Sequence, residues 1–261
     1  MKEVGVKIID LSKTIENDKK GESSLLKIKI KHKKHSKSKW IIRLLGGLPF
    51  KLFPSGFNGW ADDQITKMGV HASTHLDAPW HYGPLCEGLP SKTVDEIPLE
   101  WCYGEGLVID MSHKADFDPI TVSDIEDFLS KHNLEVKPHM IILIRTDRDK
   151  MYTGNDFVFK GTGMSRAATE YFIDKGVKIM GIDQWGWDLP LPYMAKKAKK
   201  DNNSDYFWEG HLIGTRKEYM HIEQLTNLES LPITGFKVAL FPLKIKGASA
   251  APARVVAIIE N

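Results

Sequence analysis

The sequence predicts a mixed α/β fold with a β-sheet at its core and helices flanking it. Strand-type and helix-type runs alternate through the middle of the chain, and both ends are rich in strand patterns with few helix signals. The composition agrees: the 261 residues are 42% hydrophobic and 27% charged, enough apolar material for a full core without disulfides. The expected organisation is a single domain over 1–261, carrying a basic insertion at about 19–60 and an excursion at about 190–207.

Val6 to Asp10 is a short apolar run and reads as an opening strand. The chain then turns basic: Lys19, Lys20, Lys27, Lys29, Lys31, Lys33, Lys34, Lys37, Lys39 and Arg43 stand against the single acid Glu22. Leu26, Ile28 and Ile30 alternate with lysines there, the period of an exposed strand with a charged outer face. Gly46, Gly47, Pro49, Pro54, Gly56 and Gly59 predict a loop over 45–60.

Further on, Thr121 with Asp124 three residues later marks a helix start, and Ile125, Phe128 and Leu129 follow at helical spacing. Pro138 closes that helix, and Met140 to Ile144 is a strand of the buried type. A second helix begins at Ser165, carries Ala168, Tyr171 and Phe172, and stops at Gly176. Val177 to Ile182 is a strand, and Phe236 to Phe241 and Arg254 to Ile259 are late strands. Residues 193–206, with Lys196, Lys197, Lys199 and Lys200, read as a solvated helix or excursion.

Several functional classes are excluded. A net charge of +2 argues for no polyanionic partner, and the basic segment has no nucleic-acid motif and one aromatic, Trp40. It reads as a solvated insertion or a subunit-packing arm. No apolar run approaches the ~18 residues of a membrane span, and the first ten residues lack the order of a signal peptide. Cys86 and Cys102 form no CxxC pair, as expected of a reduced, cytoplasmic chain. No P-loop or dinucleotide motif is present.

The sharpest feature is the run HASTHLDAPWH over 71–81, which places His71, His75, Asp77 and His81 close together. Neutral imidazoles and a carboxylate suit divalent ions such as zinc, manganese or iron, and the absence of a nearby thiolate excludes a cysteine-type structural zinc site. A helix would stack His71 over His75 but swing Asp77 away. A straight strand would put all four on one side but spread them too far for one ion. The segment must bend, and Ala78-Pro79 is the expected place.

This run resembles the HxGTHxDAPxH signature of the cyclase-like metal hydrolases, the family of bacterial kynurenine formamidase and isatin hydrolase. Ile8 to Ser12, the runs GTGMS (161–165) and MGID (180–183), His211, the stretch HIEQLTNL (221–228) and Ala251 to Val255 are similar to further family segments. The resemblance implies a swivelling β/β/α fold and a homodimer or homotetramer. It implies His71, His75 and Asp77 as ligands, with Glu223 as the acidic ligand near the C-terminus. His81 and His211 match positions that bind a second ion or act as acid/base groups. One departure is Ser73 in place of the signature glycine. On its own pattern Glu223 opens a short apolar run, where an acid usually faces water.

The second distinctive run, DQWGWDLP over 183–190, follows a buried strand, where α/β sites are commonly built. Trp185 and Trp187 are expected either as walls of an apolar pocket or as core packing, with Gln184 and Asp188 as polar handles. Trp80 and Trp60 are weaker candidates for the same pocket. The implied chemistry is metal-assisted hydrolysis of an amide, lactam or ester of a small molecule, with one or two divalent ions per chain, zinc or manganese. The alternatives are a metal-dependent lyase, dehydratase or isomerase, and a non-catalytic metal-binding protein of the same fold.

Overall fold

A computed structural model describes residues 5–18 and 27–260. They form two compact units, residues 5–14 with 73–260 and residues 15–18 with 27–72. Lys19, Lys20, Glu22 and Leu26, on which part of the basic-strand reading rests, lie outside the described residues.

The larger unit is built on an eight-stranded mixed sheet. In chain order its strands are β1 (Val6–Asp10), β2 (His75–Asp77), β3 (Tyr103–Asp110), β4 (Ile141–Arg145), β5 (Ile179–Ile182), β6 (Met220–Glu223), β7 (Lys237–Pro242) and β8 (Ala250–Glu260). In space the order is β1-β8-β7-β3-β4-β5-β6-β2. Strands β3 to β6 run parallel, and the remaining pairs are antiparallel. β2 also pairs with the start of β8, Ala250 opposite Asp77 and Pro252 opposite His75, so the sheet closes into a barrel. β8 is 11 residues long; its far half pairs with β1, which stays outside the ring.

The apolar run of β4 shows why the barrel holds. Ile141 and Leu143 pack with Ile179, Ile222, Val238 and Val255 in one core. Ile142 and Ile144 pack with Ile125, Leu129 and Phe172 in the other. Alternate residues face opposite sides of a strand, and a strand buried on both faces needs an unbroken apolar run. The second core is covered by α2 (Val122–Lys131) and α3 (Arg166–Asp174), after the short α1 (Pro79–Tyr82). Thr121 and Asp124 form the capping box of α2, and Ser165 caps α3 through Ala168 N at 3.2 Å. Both helices lie where their start signals predict. The expected excursion contains α4 (Leu191–Asp201), followed by α5 (Glu209–Ile213).

Two barrel strands carry weak sequence signals. β3 begins Tyr-Gly-Glu-Gly, and glycine in a strand reads as a break. Here Gly106 makes room for Phe236, whose ring lies 2.1 Å from where a Cβ would stand. β6 is only 4 residues long and carries His221 and Glu223, so its pattern does not read as buried strand.

In the smaller unit, Lys29–Lys31 pairs antiparallel with Gln64–Lys67, with Ile30 half-buried between exposed lysines. His35–Gly46 is a helix that the basic pattern does not announce. It has no acid in its first turn and no side-chain cap, and it ends at Gly47 in the left-handed region. Among the described residues, no helix is long and apolar enough to cross a membrane.

Candidate metal centre

The motif segment folds as a strand that bends into a helical turn: His75–Asp77 is β2, and Ala78-Pro79 leads into α1. The bend falls at the expected residues. Ser73, just before it, has φ 60°, a conformation that glycine adopts at no steric cost. Its Oγ donates to the Lys13 carbonyl at 3.1 Å, which holds the serine there and accommodates the departure from the family signature.

β6 completes the site. It runs antiparallel to β2 with His221 opposite Asp77 and Glu223 opposite His75. Because side chains alternate across a strand, these two pairs share one face. Asp77 Oδ1 lies 3.2 Å from His75 Nε2, and Asp77 Oδ2 lies 3.2 Å from His221 Nε2. Glu223 Oε1 lies 3.3 Å from His221 Nε2 and 3.7 Å from His211 Nε2, while its Oε2 lies 3.6 Å from His75 Nε2. His211 enters from α5, with Nε2 3.9 Å from Asp77 Oδ2. Glu223 is therefore buried at the centre of the cluster, where the family resemblance expects a ligand and its own sequence pattern expects an acid facing water. His221, from the same strand, stands in the cluster with it.

Each of these three imidazoles is held from behind. His75 Nδ1 lies 2.9 Å from the Ser73 carbonyl, which only accepts, so that nitrogen carries the proton. His211 Nδ1 donates to the Asp188 carboxylate, which also accepts from Gly210 N at 2.5 Å and His211 N at 3.2 Å. His221 Nδ1 lies between the hydroxyls of Tyr82, at 3.1 Å, and Tyr219, at 3.3 Å. Tyr219 donates its own proton to the Gly210 carbonyl, which leaves its oxygen to accept from His221. Fixing the outer nitrogen in this way presents Nε2 of all three rings inward, the arrangement of metal-binding histidines.

The donor set fits a divalent cation. Asp77, His211, His221 and Glu223 are all buried, with ligand atoms within 4.8 Å of one another. A tetrahedral set with bonds of ~2.1 Å places its donors ~3.4 Å apart, close to the separations above. His221 Nε2 is buried without a hydrogen-bond partner, and a buried polar atom of that kind is costly unless a ligand takes it up. Without a cation the charge balance falls on the rings. Burial opposes protonation of His221, but the Asp77 and Glu223 carboxylates beside its ring raise its pKa to about 9. His75 is likewise raised against its burial, chiefly by Asp77. Burial works to raise the Glu223 carboxyl, yet His221 holds it below its ordinary range.

The other expected site residues divide. His81 is half-buried on α1, with Nε2 3.7 Å from Asp77 Oδ2. Trp80 is exposed beside it, and Trp185 is half-buried with its ring edge-on to Phe157 at 6.1 Å. His71, half-buried, and Trp60, exposed, belong to the smaller unit. One residue requires correction as a pocket element. Trp187 is fully buried, stacked on His221 at 5.1 Å, with Nε1 donating to Thr169 Oγ1, so it packs behind an imidazole of the cluster and does not wall a pocket. Gln184 is buried, with Nε2 donating to the Thr162 and Gly186 carbonyls and Oε1 without a hydrogen-bond partner.

Trp208 was not anticipated. Its indole stacks on His211 at 4.6 Å and meets His81 edge-on at 5.4 Å. Its φ of 57° is unusual for a bulky residue. As one of seven tryptophans, with no motif around it, it carried no signal in the sequence.

A closed mixed barrel with buried imidazoles and carboxylates gathered at the β2–β6 pair defines a candidate centre for a divalent cation. The chain belongs to the cyclase family: the model of that family, described as putative cyclase, matches residues 9–189. The chain is 26% identical to isatin hydrolase of Roseibium aggregatum over 205 residues, 74% of this chain and 73% of that protein. It superposes on the solved structure of isatin hydrolase A from Labrenzia aggregata, bound to benzyl benzoate, with TM-score 0.70 and 24% identity, covering 98% of this chain and 94% of that one. A predicted metal-dependent hydrolase from Bacillus stearothermophilus gives TM-score 0.62 at 22% identity, covering 97% and 98%. The two solved structures share this fold.

Proposed function

We propose that this chain hydrolyses an amide, lactam or ester bond of a small, cyclic molecule. The observation that carries the reading is the inward convergence of His75, His211 and His221 Nε2 on Asp77 and Glu223, each ring fixed through its outer nitrogen. The relative named isatin hydrolase supports hydrolysis as the reaction class.

His75, Asp77, His211, His221 and Glu223 would hold one divalent ion, zinc or manganese. His71 is proposed as a further ligand on its place in the motif alone, and a second ion would be held with the help of Asp77 and Glu223. Bound there, the ion supplies an acidified water and polarises a carbonyl oxygen. The chain's own residues do the rest. His81, with Nε2 3.7 Å from Asp77 Oδ2 and its ring partly open to solvent, takes the proton from the attacking water and returns it to the leaving nitrogen or oxygen. His211 is fixed by Asp188 and serves as a ligand in this reading. Trp208 covers His211 and the edge of His81, and keeps bulk water from the proton path. Trp80 and Trp185 would line the approach. Cytoplasmic residence, with Cys86 and Cys102 as free thiols, and a homodimer or homotetramer belong to the same proposal.

The test is turnover of a panel of small lactams, amides and esters in 18O-labelled water. Incorporation of one solvent oxygen into the new carboxylate supports hydrolysis. Turnover without incorporation would favour a lyase or isomerase, in which the same residues stabilise an enolate.

A further inference from the structure

Trp187 N donates to Glu223 Oε1 at 2.8 Å, from outside the imidazole cluster. That oxygen stands 3.3 Å from His221 Nε2 and 3.7 Å from His211 Nε2, while Oε2 faces His75 Nε2 at 3.6 Å. The bond therefore fixes which carboxylate oxygen meets which imidazole, and a bond to an ionised acceptor is roughly twice as strong as a neutral one. Trp187 N and the Gly186 carbonyl belong to one planar peptide and point in opposite directions. Whatever holds the carbonyl thus aims the N–H.

Gln184 holds the carbonyl. Its Nε2 donates to the Gly186 carbonyl at 2.8 Å and to the Thr162 carbonyl at 2.8 Å. Both partners only accept, so the place of the nitrogen in the amide is fixed. The turn is tied down on either side of this peptide: Gln184 O accepts from Gln224 N at 2.9 Å, and Trp187 O accepts from Met164 N at 2.8 Å. The Gly186–Trp187 peptide itself rests on two side chains, Gln184 at its carbonyl and Glu223 at its N–H. Gly186 has no Cβ to resist rotation of that peptide, and rotation would turn a carbonyl oxygen toward the Glu223 carboxylate. The amide is also a costly occupant of its position. It is buried, its Oε1 has no hydrogen-bond partner, and a Cβ on Gly161 would stand 2.7 Å from that oxygen. An apolar side chain would fill the space without stranding an acceptor, so the amide is accounted for by what its NH2 holds.

We propose that Gln184 is a positioning residue for the metal centre: it holds the Gly186–Trp187 peptide so that the N–H stays on Glu223 Oε1, and so presets this carboxylate to receive the cation. The inference rests on the reading of Glu223 as a metal ligand and is independent of the reaction catalysed. Gln184 meets neither cation nor substrate in this role; it acts through one peptide on one ligand. The turn at 184–188 then serves three ligands at once. Gln184 acts through Trp187 N on Glu223, the Trp187 ring stacks on His221, and Asp188 holds His211.

The experiment titrates cobalt(II) into the full chain against a chromogenic chelator and records the visible spectrum of the loaded site. Neither readout needs turnover. Gln184→Met keeps the length of the side chain and removes the NH2. It should lose roughly ten-fold in cobalt affinity, the low end for a group behind a ligand, and its cobalt spectrum should change in position or intensity. A residue that only packs would lower the Tm of the metal-free chain and leave the affinity and spectrum of the folded protein as they are. That result overturns the proposal. Wild type adds a measurement that does not depend on the folding of the variant. The glutamines of the chain are Gln64, Gln184 and Gln224, and with a 15N label the side-chain amide signals of Gln184 should move when zinc is added. Those of Gln64, exposed in the smaller unit, should stay. Gln184 signals indifferent to zinc overturn the proposal as well. Wild type that takes up neither ion would overturn the metal reading and the proposal with it. Wild type that binds cobalt no more tightly than Gln184→Met overturns the proposal alone.

Discussion

His211 and Asp188 form a buried pair in which the Asp188 carboxylate accepts both the ring Nδ1–H and the backbone N–H of His211, leaving Nε2 directed at Asp77 and Glu223. Asp188 contributes no ligand in this arrangement. It fixes the tautomer and the direction of one, and its Gly210 contact anchors the start of α5 as well.

Asp188→Asn replaces an acceptor by an NH2 group in a pocket whose other members all donate. The expected result is a 10- to 100-fold loss of metal affinity, typical of removing the partner behind a ligand histidine, at ~25 °C. Competition with a chromogenic chelator measures it. Unchanged affinity would remove His211 from the ligand set.

Trp208→Gly separates strain from function. Releasing a bulky residue from the left-handed region returns roughly 1–3 kcal/mol, which offsets the roughly 0.5–1.5 kcal/mol of the stack on His211 and part of the apolar burial lost with the indole. Stability should therefore change little while kcat falls, because His81 and His211 become open to water. Thermal unfolding and steady-state rates of the same preparation check both halves. A large fall in Tm with kcat intact would make Trp208 a packing residue only.

Trp187→Phe should do the reverse. It removes the Nε1 bond to Thr169 and part of the stack on His221, at a cost of about 1–3 kcal/mol. The Tm of a chain this size should fall by several degrees, roughly 2–4 °C per kcal/mol. KM should change little, since the indole is buried away from solvent. A large KM increase at constant stability would restore Trp187 to the pocket.

Asp183 predicts a pH dependence of stability. Burial, with the charge of Asp149 added, raises its pKa from 3.8 to about 7, against the hydrogen bonds from Thr146 and Asp147 that lower it. Between those values the unfolded chain has released this proton and the folded chain retains it, so stability falls as pH rises. The penalty is absent below 3.8, grows through the window and is complete above about 7. Urea unfolding from pH 5 to 8 should show a decline that Asp183→Asn lacks. Parallel profiles for the two proteins would contradict it.

Much of this was legible where local chemistry is strong. The capping signals at Thr121 and Ser165, the apolar run of β4 and the bend at Ala78-Pro79 all follow from nearest neighbours along the chain. So did the density of ligands at 71–81. What was not legible depends on pairing across the barrel. By its own pattern Glu223 is an ordinary acid that only the family resemblance singles out, and the register of β6 against β2 is what sets it opposite His75. His221 joins the cluster by the same register, and Trp208 reaches His211 only because of a backbone conformation that no residue pattern encodes. β3 was hidden by two glycines, Gly104 packed against the His139 carbonyl and Gly106 making room for Phe236, neither of which is a neighbour along the chain.

The central claim is that the buried cluster at β2 and β6 holds a divalent cation. Elemental analysis of the purified chain and of Asp77→Ala, with thermal unfolding recorded for both, tests it most directly. The account predicts near-stoichiometric zinc or manganese in wild type, lost in the variant, with folding retained. Wild type that carries no divalent metal and takes up neither zinc nor manganese would contradict it.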